Sequence, residues 1–212
     1  MSQSATAPSP SRSIVRQSEH AVAPLFLERW SPRAYTGEPI PDSVLLTLFE
    51  AARWAPSGSN DQPWRFLYAK RDSADWPIFF NLLVPVNQRW ATQASALVVL
   101  VSKRVKIGRD GIPVPARSHS FDTGASWQNL ALQAHLLGWG TRAIGGYNRE
   151  QARIVLNVPE DYALEAAVAI GKPGDKSLLP AELQEREAPS GRHPLRELVL
   201  AGGFPAASAA TG

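Results

Sequence analysis

The sequence predicts a single α+β or α/β sandwich, in which strands alternate with helices. Residues 96–101 and 164–170 are apolar and rich in β-branched or small side chains, as buried strands are. Residues 120–139 form the longest helical pattern, with apolar side chains around most of its circumference. Alternation of such segments along one chain is typical of helices packed on a sheet. The pattern leaves the strand order open.

Local signals place each element. Residues 41–43 (Pro-Asp-Ser) have the composition of a helix start, and Gly138 with Gly140 ends the long helix. Glycines and prolines between residues 103 and 119 predict a long irregular segment, of the kind that serves as a lid or a binding loop. In chain order, the predicted elements are helix 42–52, strand 65–69, helix 75–83, strand 96–101, irregular segment 103–119, helix 120–139, helix 148–156, strand 164–170 and a short strand 198–200.

We expect one folded domain over residues 21–204, between two tails. Residues 1–20 are rich in Ser, Ala and Pro and lack the apolar core of a signal peptide, so they are predicted to be a disordered tail. The small residues 205–212 are interpreted as a second tail. No apolar run approaches the roughly 18 residues that a membrane span needs. The cytoplasm is therefore the expected location.

The composition excludes several kinds of site. The chain has no cysteine, which rules out disulfides, iron–sulfur clusters, thiolate metal sites and cysteine nucleophiles. Its four histidines show no metal-ligand spacing. The net charge is +3, and the basic side chains, most of them arginine, are scattered rather than gathered in a run. We therefore expect no nucleic-acid partner, and the arginines suit a few contacts to small anions.

Two early segments concentrate groups suited to a phosphorylated heterocycle. Residues 28–33 (Glu-Arg-Trp-Ser-Pro-Arg) place two guanidinium groups beside a hydroxyl, and the guanidinium fork matches a phosphate. Residues 54–64 carry hydroxyls and two side-chain amides in a loop between a helix and a strand. Amides can pair with both donor and acceptor edges of a ring such as a flavin. Taken singly, the first segment can equally be interpreted as two surface arginines at a turn, and the second as an ordinary polar connector.

Two later segments have weaker signals. Residues 144–147 (Ile-Gly-Gly-Tyr) follow the long helix, and glycines let backbone N–H groups approach a ligand closely. Residues 190–194 (Ser-Gly-Arg-His-Pro) offer an arginine that could close on a phosphate. Alone, these segments are also typical of a plain turn and of surface charge. No G-x-G-x-x-G motif is present, so a Rossmann dinucleotide site is not supported.

The order of the four segments resembles the nitroreductase family of flavoproteins. Arg-x-Ser-x-Arg is followed by Pro-Ser-x-x-Asn-x-Gln-Pro-Trp, by Gly-Gly after a long helix and by a late Arg, and the resemblance covers residues 25–200. It implies a domain-swapped type of homodimer, in which each subunit is a nitroreductase-like α/β sandwich of the α+β class, with a mixed central sheet flanked by helices. It also implies one FMN per subunit at the interface, with NADH or NADPH as reductant.

The resemblance further implies which residues bind the cofactor. The matches are Arg29, Trp30, Ser31 and Arg33 around the FMN phosphate, ribityl chain and pyrimidine edge; Pro56, Ser57, Gly58, Ser59, Asn60 and Gln62 in the loop that the second subunit lays against the isoalloxazine ring; Asn87 hydrogen-bonded to the ring; Ile144, Gly145 and Gly146 near the flavin N5; and Arg192 on the phosphate.

One position departs from the family's pattern. Some members have a lysine shortly after the asparagine, near the N1 side of the flavin, where this chain has Trp90. A cation there lowers the energy of the reduced flavin, which is anionic at N1. With Trp90 in that place, we expect Arg33 to supply the charge alone. The departure affects the redox potential of the flavin rather than FMN binding.

The function that the resemblance implies is an FMN-dependent oxidoreductase. It would pass hydride from NAD(P)H to small electron-poor acceptors such as nitroaromatics or quinones, by a ping-pong cycle. The cofactor carries the hydride chemistry, so no residue is assigned a catalytic or metal-binding role. The alternatives are a non-catalytic FMN-binding or storage protein, and a same-fold flavoenzyme with other chemistry, such as dehalogenation or flavin fragmentation.

The segment 103–119 offers candidate substrate contacts. His119, at its end, could touch the substrate. A contact to the 2′-phosphate of NADPH could come from Arg104, Lys106, Arg109 or Arg117.

Overall fold

The computed structural model describes residues 16–204, so the predicted tails at 1–15 and 205–212 lie outside the described residues. The chain divides into two compact units. The larger unit is Arg29–Ala188, and the smaller one joins the residues up to Glu28 with those from Pro189 onward. The larger unit confirms the α+β class, because helices pack on both faces of its central sheet.

The helices and strands are short except for the long helix of the sequence prediction. The helices are α1 (Pro24–Glu28), α2 (Asp42–Arg53), α3 (Trp76–Asn81), α4 (Pro85–Ala91), α5 (His119–Leu136), α6 (Arg149–Val155), α7 (Ala181–Gln184) and α8 (Leu195–Leu198). The strands are β1 (Trp64–Lys70), β2 (Ala96–Lys103), β3 (Val105–Ile107), β4 (Pro113–Pro115), β5 (Gly140–Ile144) and β6 (Tyr162–Gly171). Helices α1 and α8 belong to the smaller unit.

Four strands form the central sheet in the order β1-β2-β6-β5, and every neighbouring pair is antiparallel. Within residues 16–204 the sheet is therefore antiparallel, not mixed as the resemblance implies. Trp64 pairs with Ser102, and Ser102 pairs with Ala163. On the other side of β6, Ile144 pairs with Ala167. The start of β1 and the end of β5 thus lie at the same end of the sheet, on its two opposite edges.

Strand β2 is buried on both faces, as its apolar sequence predicts. Residues 96, 98 and 100 join a core beneath α2 and α5. Residues 97, 99 and 101 join a second core, which includes Phe79 of α3 and Trp90 of α4. Because side chains alternate along a strand, one apolar strand serves both cores. The larger unit therefore has three layers, with α2 and α5 on one face of the sheet and α3 and α4 on the other.

The structure differs from the sequence prediction at several elements. Helix α4, which is not among the predicted elements, begins at Pro85, because proline suits the first turn of a helix. Strand β5 is absent from the prediction because Gly140 resembles the end of the long helix. Strands β3 and β4 form a hairpin where an irregular segment is expected. The expected strand at 198–200 is wrong, since these residues follow or end α8.

Helix α5 is buried on one side in the single chain, although its sequence is apolar around most of its surface. Leu130, Ala131 and Ala134 are buried. Phe121 is 82% exposed and Leu136 is 63% exposed, so apolar side chains also face outward. The outer face of α5 thus presents apolar side chains that the described residues of the chain do not cover.

In the smaller unit, hydrogen bonds join the two ends of the chain. Nε of Arg16 donates to the carbonyl oxygen of Ser190 at 2.9 Å, and the N–H of Leu195 donates to the Glu19 carboxylate at 2.7 Å. Residues 16–20 are thus bonded into this unit, whereas the sequence places them in a disordered tail. None of the helices in residues 16–204 combines the length and the apolar character that crossing a membrane requires.

Candidate functional site

Most of the predicted cofactor-binding residues lie at the end of the sheet where β5 ends and β1 begins. Residues 56–62, the polar loop, precede β1 at one edge. Gly145 and Gly146, the glycine pair, follow β5 at the other edge. Neighbouring strands are about 4.8 Å apart, so three spacings separate the two edges by roughly 14 Å. One chain therefore carries two separate groups of predicted residues.

The arginine cluster consists of Arg29, Arg33, Arg142 and the carboxylate of Glu187. The Glu187 side chain is 3% exposed, and its Oε1 accepts hydrogen bonds from the backbone N–H groups of Arg33 at 2.7 Å and of Ala34 at 2.9 Å. Its Oε2 lies 3.6 Å from Nη1 of Arg33. Arg29 Nη1 lies 3.5 Å from the hydroxyl of Ser31. One buried carboxylate therefore fixes the backbone of the Arg-x-Ser-x-Arg segment.

Arg142, on β5, brings a further guanidinium to this segment. Its Nη1 donates to the carbonyl oxygen of Ser31 at 2.5 Å, and its guanidinium carbon lies 5.8 Å from the centre of the Trp90 ring. Burial, followed by the charge of Arg33, lowers the pKa of Arg142, which still remains cationic at neutral pH. A second guanidinium besides that of Arg33 is therefore available near Trp90. No sequence signal marks Arg142, because β5 itself is not predicted.

Trp90 connects the arginine cluster to the glycine pair. Its Nε1 donates to Oδ1 of Asn87 at 3.2 Å, and Nδ2 of Asn87 donates to the carbonyl oxygen of Gly146 at 2.9 Å. A Cβ atom at Gly146 would lie 2.8 Å from Nδ2 of Asn87, which is too close, and this explains why residue 146 is a glycine. A Cβ atom at Gly145 would meet no atom within 4 Å. The backbone of Gly145 is thus open to a ligand, next to the residue whose carbonyl oxygen binds the Asn87 amide.

The polar loop has a strained backbone that neighbouring elements hold in place. Ser59, Asn60 and Gln62 have φ angles of 53°, 56° and 46°. Positive φ outside glycine costs on the order of 1–3 kcal/mol per residue and is concentrated at ligand sites. The N–H of Gly58 donates to Asp122 of α5 at 3.1 Å, and Asp61 forms an ion pair with Lys106 of β3 at 2.5 Å. These contacts hold the loop in one conformation.

Other predicted contacts are engaged elsewhere. Arg192 belongs to the smaller unit, where its Nη1 donates to the carbonyl oxygen of Gly191 at 2.8 Å. Arg104, a candidate for the 2′-phosphate of NADPH, donates to the carbonyl oxygen of Glu160. Lys106, a second candidate, is the partner of Asp61.

The structure also brings together a group that the sequence analysis did not find, formed by Ser102, His119, Ser120 and Glu165. We call it the serine–histidine network. Nδ1 of His119 lies 2.7 Å from Oγ of Ser102 and 3.5 Å from Oε1 of Glu165. Both serine hydroxyls donate to Oε1 of Glu165, that of Ser120 at 2.6 Å. Ser102 lies near the end of β2, which is a central strand, so the network lies between the two edges of the sheet.

A β-bulge directs Glu165 into this network. The register pairs Leu100 with Ala166 and Val101 with Leu164, which leaves Glu165 without a partner in β2. A bulge re-aims the side chain of its extra residue. The charge of Glu165 within an otherwise apolar strand was the available sequence signal.

The serine–histidine network does not have the geometry of a hydrolase triad. In a triad, the serine hydroxyl donates to one ring nitrogen and the other ring nitrogen donates to the carboxylate. Here Ser102 and Glu165 meet the same ring nitrogen, and the buried Ser102 donates directly to the carboxylate. This arrangement does not activate Ser102 as a nucleophile.

Comparison with known proteins identifies the family. The sequence model of the Nitroreductase family matches residues 27–78 and 71–172. The chain belongs to the nitroreductase family. A solved structure, described as that of an oxidoreductase containing FMN, is 50% identical and has a TM-score of 0.89 over 92% of this chain and 98% of that chain.

Two other nitroreductase-family comparisons cover most of both chains. A protein of Desulfovibrio desulfuricans, solved in complex with FMN, is 27% identical and has a TM-score of 0.67 over 89% of this chain and 100% of that chain. An NADH dehydrogenase of Thermus thermophilus is 28% identical over 200 residues, which cover 82% of this chain and 92% of that protein.

Proposed function

We propose that this protein is an FMN-dependent oxidoreductase that passes hydride from NAD(P)H to small electron-poor acceptors, such as nitroaromatics or quinones. The observation that carries the proposal is the arginine cluster, which Trp90 and Asn87 connect to the glycine pair, in a chain of the nitroreductase family. The FMN named for two similar structures supports the choice of flavin.

The residues present fit FMN. Arg33 and Arg142 share the single carboxylate of Glu187, which leaves net positive charge for a phosphate or for an anionic ring. Arg29 and Ser31 extend this donor set, and the late Arg192 is proposed as a further phosphate contact. Gly145 and Gly146 would leave room for a flat ring to approach the backbone. Trp30, Pro56 and Ile144 are proposed to line the same site.

The bound flavin would supply the hydride chemistry, and the chain's own residues would bind and orient it. Asn87 is fixed by Trp90 on one side and by Gly146 on the other, so its amide would present a preset edge to the ring. Arg33 and Arg142 would stabilise negative charge on the reduced ring through their two guanidiniums. A site that releases NAD(P)+ before the acceptor enters needs no second nucleotide pocket, which favours a ping-pong cycle.

The protein is proposed to act as a homodimer. The polar loop and the glycine pair lie on opposite edges of one sheet, so a partner chain is needed to bring one of each to the same flavin. Ser57, Gly58, Ser59, Asn60 and Gln62 of the partner would then complete the site. The exposed Phe121 and Leu136 on α5 supply an apolar surface for the contact, and two-fold pairing is the commonest arrangement.

The test is an absorbance spectrum of the purified protein, followed by anaerobic titration with NADH and NADPH. We expect a yellow protein whose flavin is FMN and is bleached by at least one nicotinamide. Initial rates with a nitroarene should give parallel double-reciprocal lines. A protein that binds no FMN contradicts the proposal. A flavin that neither nicotinamide reduces would indicate a binding or storage protein instead.

A further inference from the structure

The hydrogen bonds of the serine–histidine network fix which ring nitrogen of His119 carries a proton. Each serine hydroxyl has one proton, and both protons are directed at the Glu165 carboxylate. Ser102 can therefore meet Nδ1 of His119 at 2.7 Å only by accepting a hydrogen bond from it. In its neutral form the ring thus carries its proton on Nδ1, and Nε2 is the nitrogen that can gain or lose a second proton.

The network uses Nδ1 of His119, so Nε2 is the ring nitrogen that can exchange a proton with a bound molecule. Within residues 16–204, every side-chain hydrogen bond and ion pair that the structure records for His119 involves Nδ1. The side chain is 21% exposed, so the ring is neither sealed in the core nor free in solvent. When Nε2 is protonated, the carboxylate of Glu165 balances the charge of the ring at 3.5 Å from Nδ1.

The network connects to both groups of site residues at this end of the sheet. On one side, Arg149 donates to the carbonyl oxygen of Glu165 at 3.1 Å and to that of Gly145 at 3.2 Å, so these two backbones are neighbours. On the other side, Ser118, which precedes His119, donates to Asp122 at 2.8 Å, and Asp122 holds the N–H of Gly58. His119 therefore lies between the glycine pair and the polar loop.

We propose that Nε2 of His119 is the proton donor to the acceptor, which makes His119 a catalytic residue. This proposal rests on the proposed function. A quinone that receives a hydride from reduced flavin gains two electrons and one proton, and becomes a hydroquinone anion. The Nε2–H bond then breaks while an O–H bond forms on the quinone oxygen, which gives the neutral hydroquinone. The ring is left in its neutral Nδ1–H form and regains its proton from water.

Stopped-flow kinetics with two oxidants separate proton donation from a structural role. Holoenzyme reduced with NAD(P)H is mixed with menadione, which must gain protons, or with ferricyanide, which takes electrons alone. His119→Gln should slow oxidation by menadione at least about a hundredfold, the low end of the ~10²–10⁴ that a general acid contributes. Oxidation by ferricyanide and reduction by NAD(P)H should be unchanged. The matched control is His20→Gln, an exposed histidine in the smaller unit, which should behave as wild type.

Chemical rescue and NMR provide readouts that a structural role would not change. Added imidazole should restore the menadione rate of His119→Ala without changing its ferricyanide rate. In the full-length protein, with or without flavin, nitrogen NMR of the His119 ring should show the Nδ1–H form when neutral.

Three results would overturn the proposal: an Nε2–H neutral ring, equal slowing with both oxidants, or no slowing with menadione. Failure of the proposed function can be distinguished from failure of the His119 proposal. In that case NAD(P)H would not reduce the flavin of the wild-type protein before any oxidant is added. The assignment of His119 would then be withdrawn together with the function.

Discussion

Glu187 is the buried carboxylate that holds the arginine cluster together. The substitution Glu187→Ala measures how much this carboxylate contributes to the free energy of unfolding. The substitution removes the acceptor for the N–H groups of Arg33 and Ala34. It also removes the negative charge shared by Arg33 and Arg142. With a side chain only 3% exposed, Glu187 leaves little room for water to take over these contacts.

The expected cost is about 3–5 kcal/mol, which is typical of removing one partner from a buried ion pair. An independent estimate agrees, because each hydrogen bond to a charged group contributes roughly 1.5–3 kcal/mol and two such bonds are lost. This is a large fraction of the ~5–15 kcal/mol by which a domain is stable. Glu187→Gln keeps an acceptor oxygen for both N–H groups, so it should cost less than alanine.

Urea unfolding of the flavin-free protein measures the effect. With a slope of ~2–3 kcal/mol per molar urea, in the upper part of the usual range because the slope increases with protein size, the midpoint of Glu187→Ala should fall by about 1–2.5 M. The matched control is Glu182→Ala, which removes an exposed pairing with Arg89 and should cost at most about 1 kcal/mol. If the Glu187 and Glu182 variants lose the same stability, the argument that Glu187 organises the cluster is refuted.

Four further predictions test the cofactor site and the core. Arg29→Ala should weaken binding of FMN more than of riboflavin, by about 1.5–3 kcal/mol, in a fluorescence titration, since it removes a phosphate contact; an equal loss for both flavins would contradict the assignment. Gly145→Ala should leave the urea midpoint unchanged but weaken FMN binding, because the new methyl group meets no protein atom within 4 Å and would stand where the ring approaches. Co-expression of Arg29→Ala/Arg33→Ala with Ser57→Ala/Asn60→Ala chains should restore roughly a quarter of wild-type activity, since one site of each mixed dimer collects no defect; proven mixed dimers without activity would place both segments in one subunit's site. Burial raises the pKa of Tyr35, so the folded state favours the neutral hydroxyl. The free energy of unfolding should therefore be constant below the unfolded pKa of about 10 and should fall at higher pH by about 1.4 kcal/mol per pH unit. Tyr35→Phe should reduce this alkaline loss of stability, measured by urea titrations at several pH values.

The sequence predicted those parts of the fold whose signal is local. Strand β2 is buried on both faces, so nearly every residue in it is apolar and the pattern is unambiguous. Strand β5 is short and includes Gly140 and Arg142, and it becomes a strand only through its pairing with β6. The β3–β4 hairpin was missed for a related reason, because its prolines indicate a loop unless the partner strand is known.

The same distinction applies to the candidate site. The segment around Arg29 and Arg33 and the polar loop are continuous in sequence, so a family resemblance could identify them. Arg142 and Glu187 reach the cluster from distant parts of the chain, and no local pattern connects them with Arg33. The network around His119 depends on a bulge at Glu165, which is a property of the β2–β6 register rather than of either strand alone.

The position of β1 and β5 at opposite edges has a consequence for how the holoenzyme forms. Each chain of the proposed dimer carries half of one binding site and half of another, so an unpaired chain completes neither. Capture of flavin then requires an encounter between two chains, and the stability of such a dimer depends on protein concentration. The amount of active enzyme in a cell would rise more steeply than in proportion to synthesis of the chain. A modest change in expression would therefore have a disproportionate effect on activity.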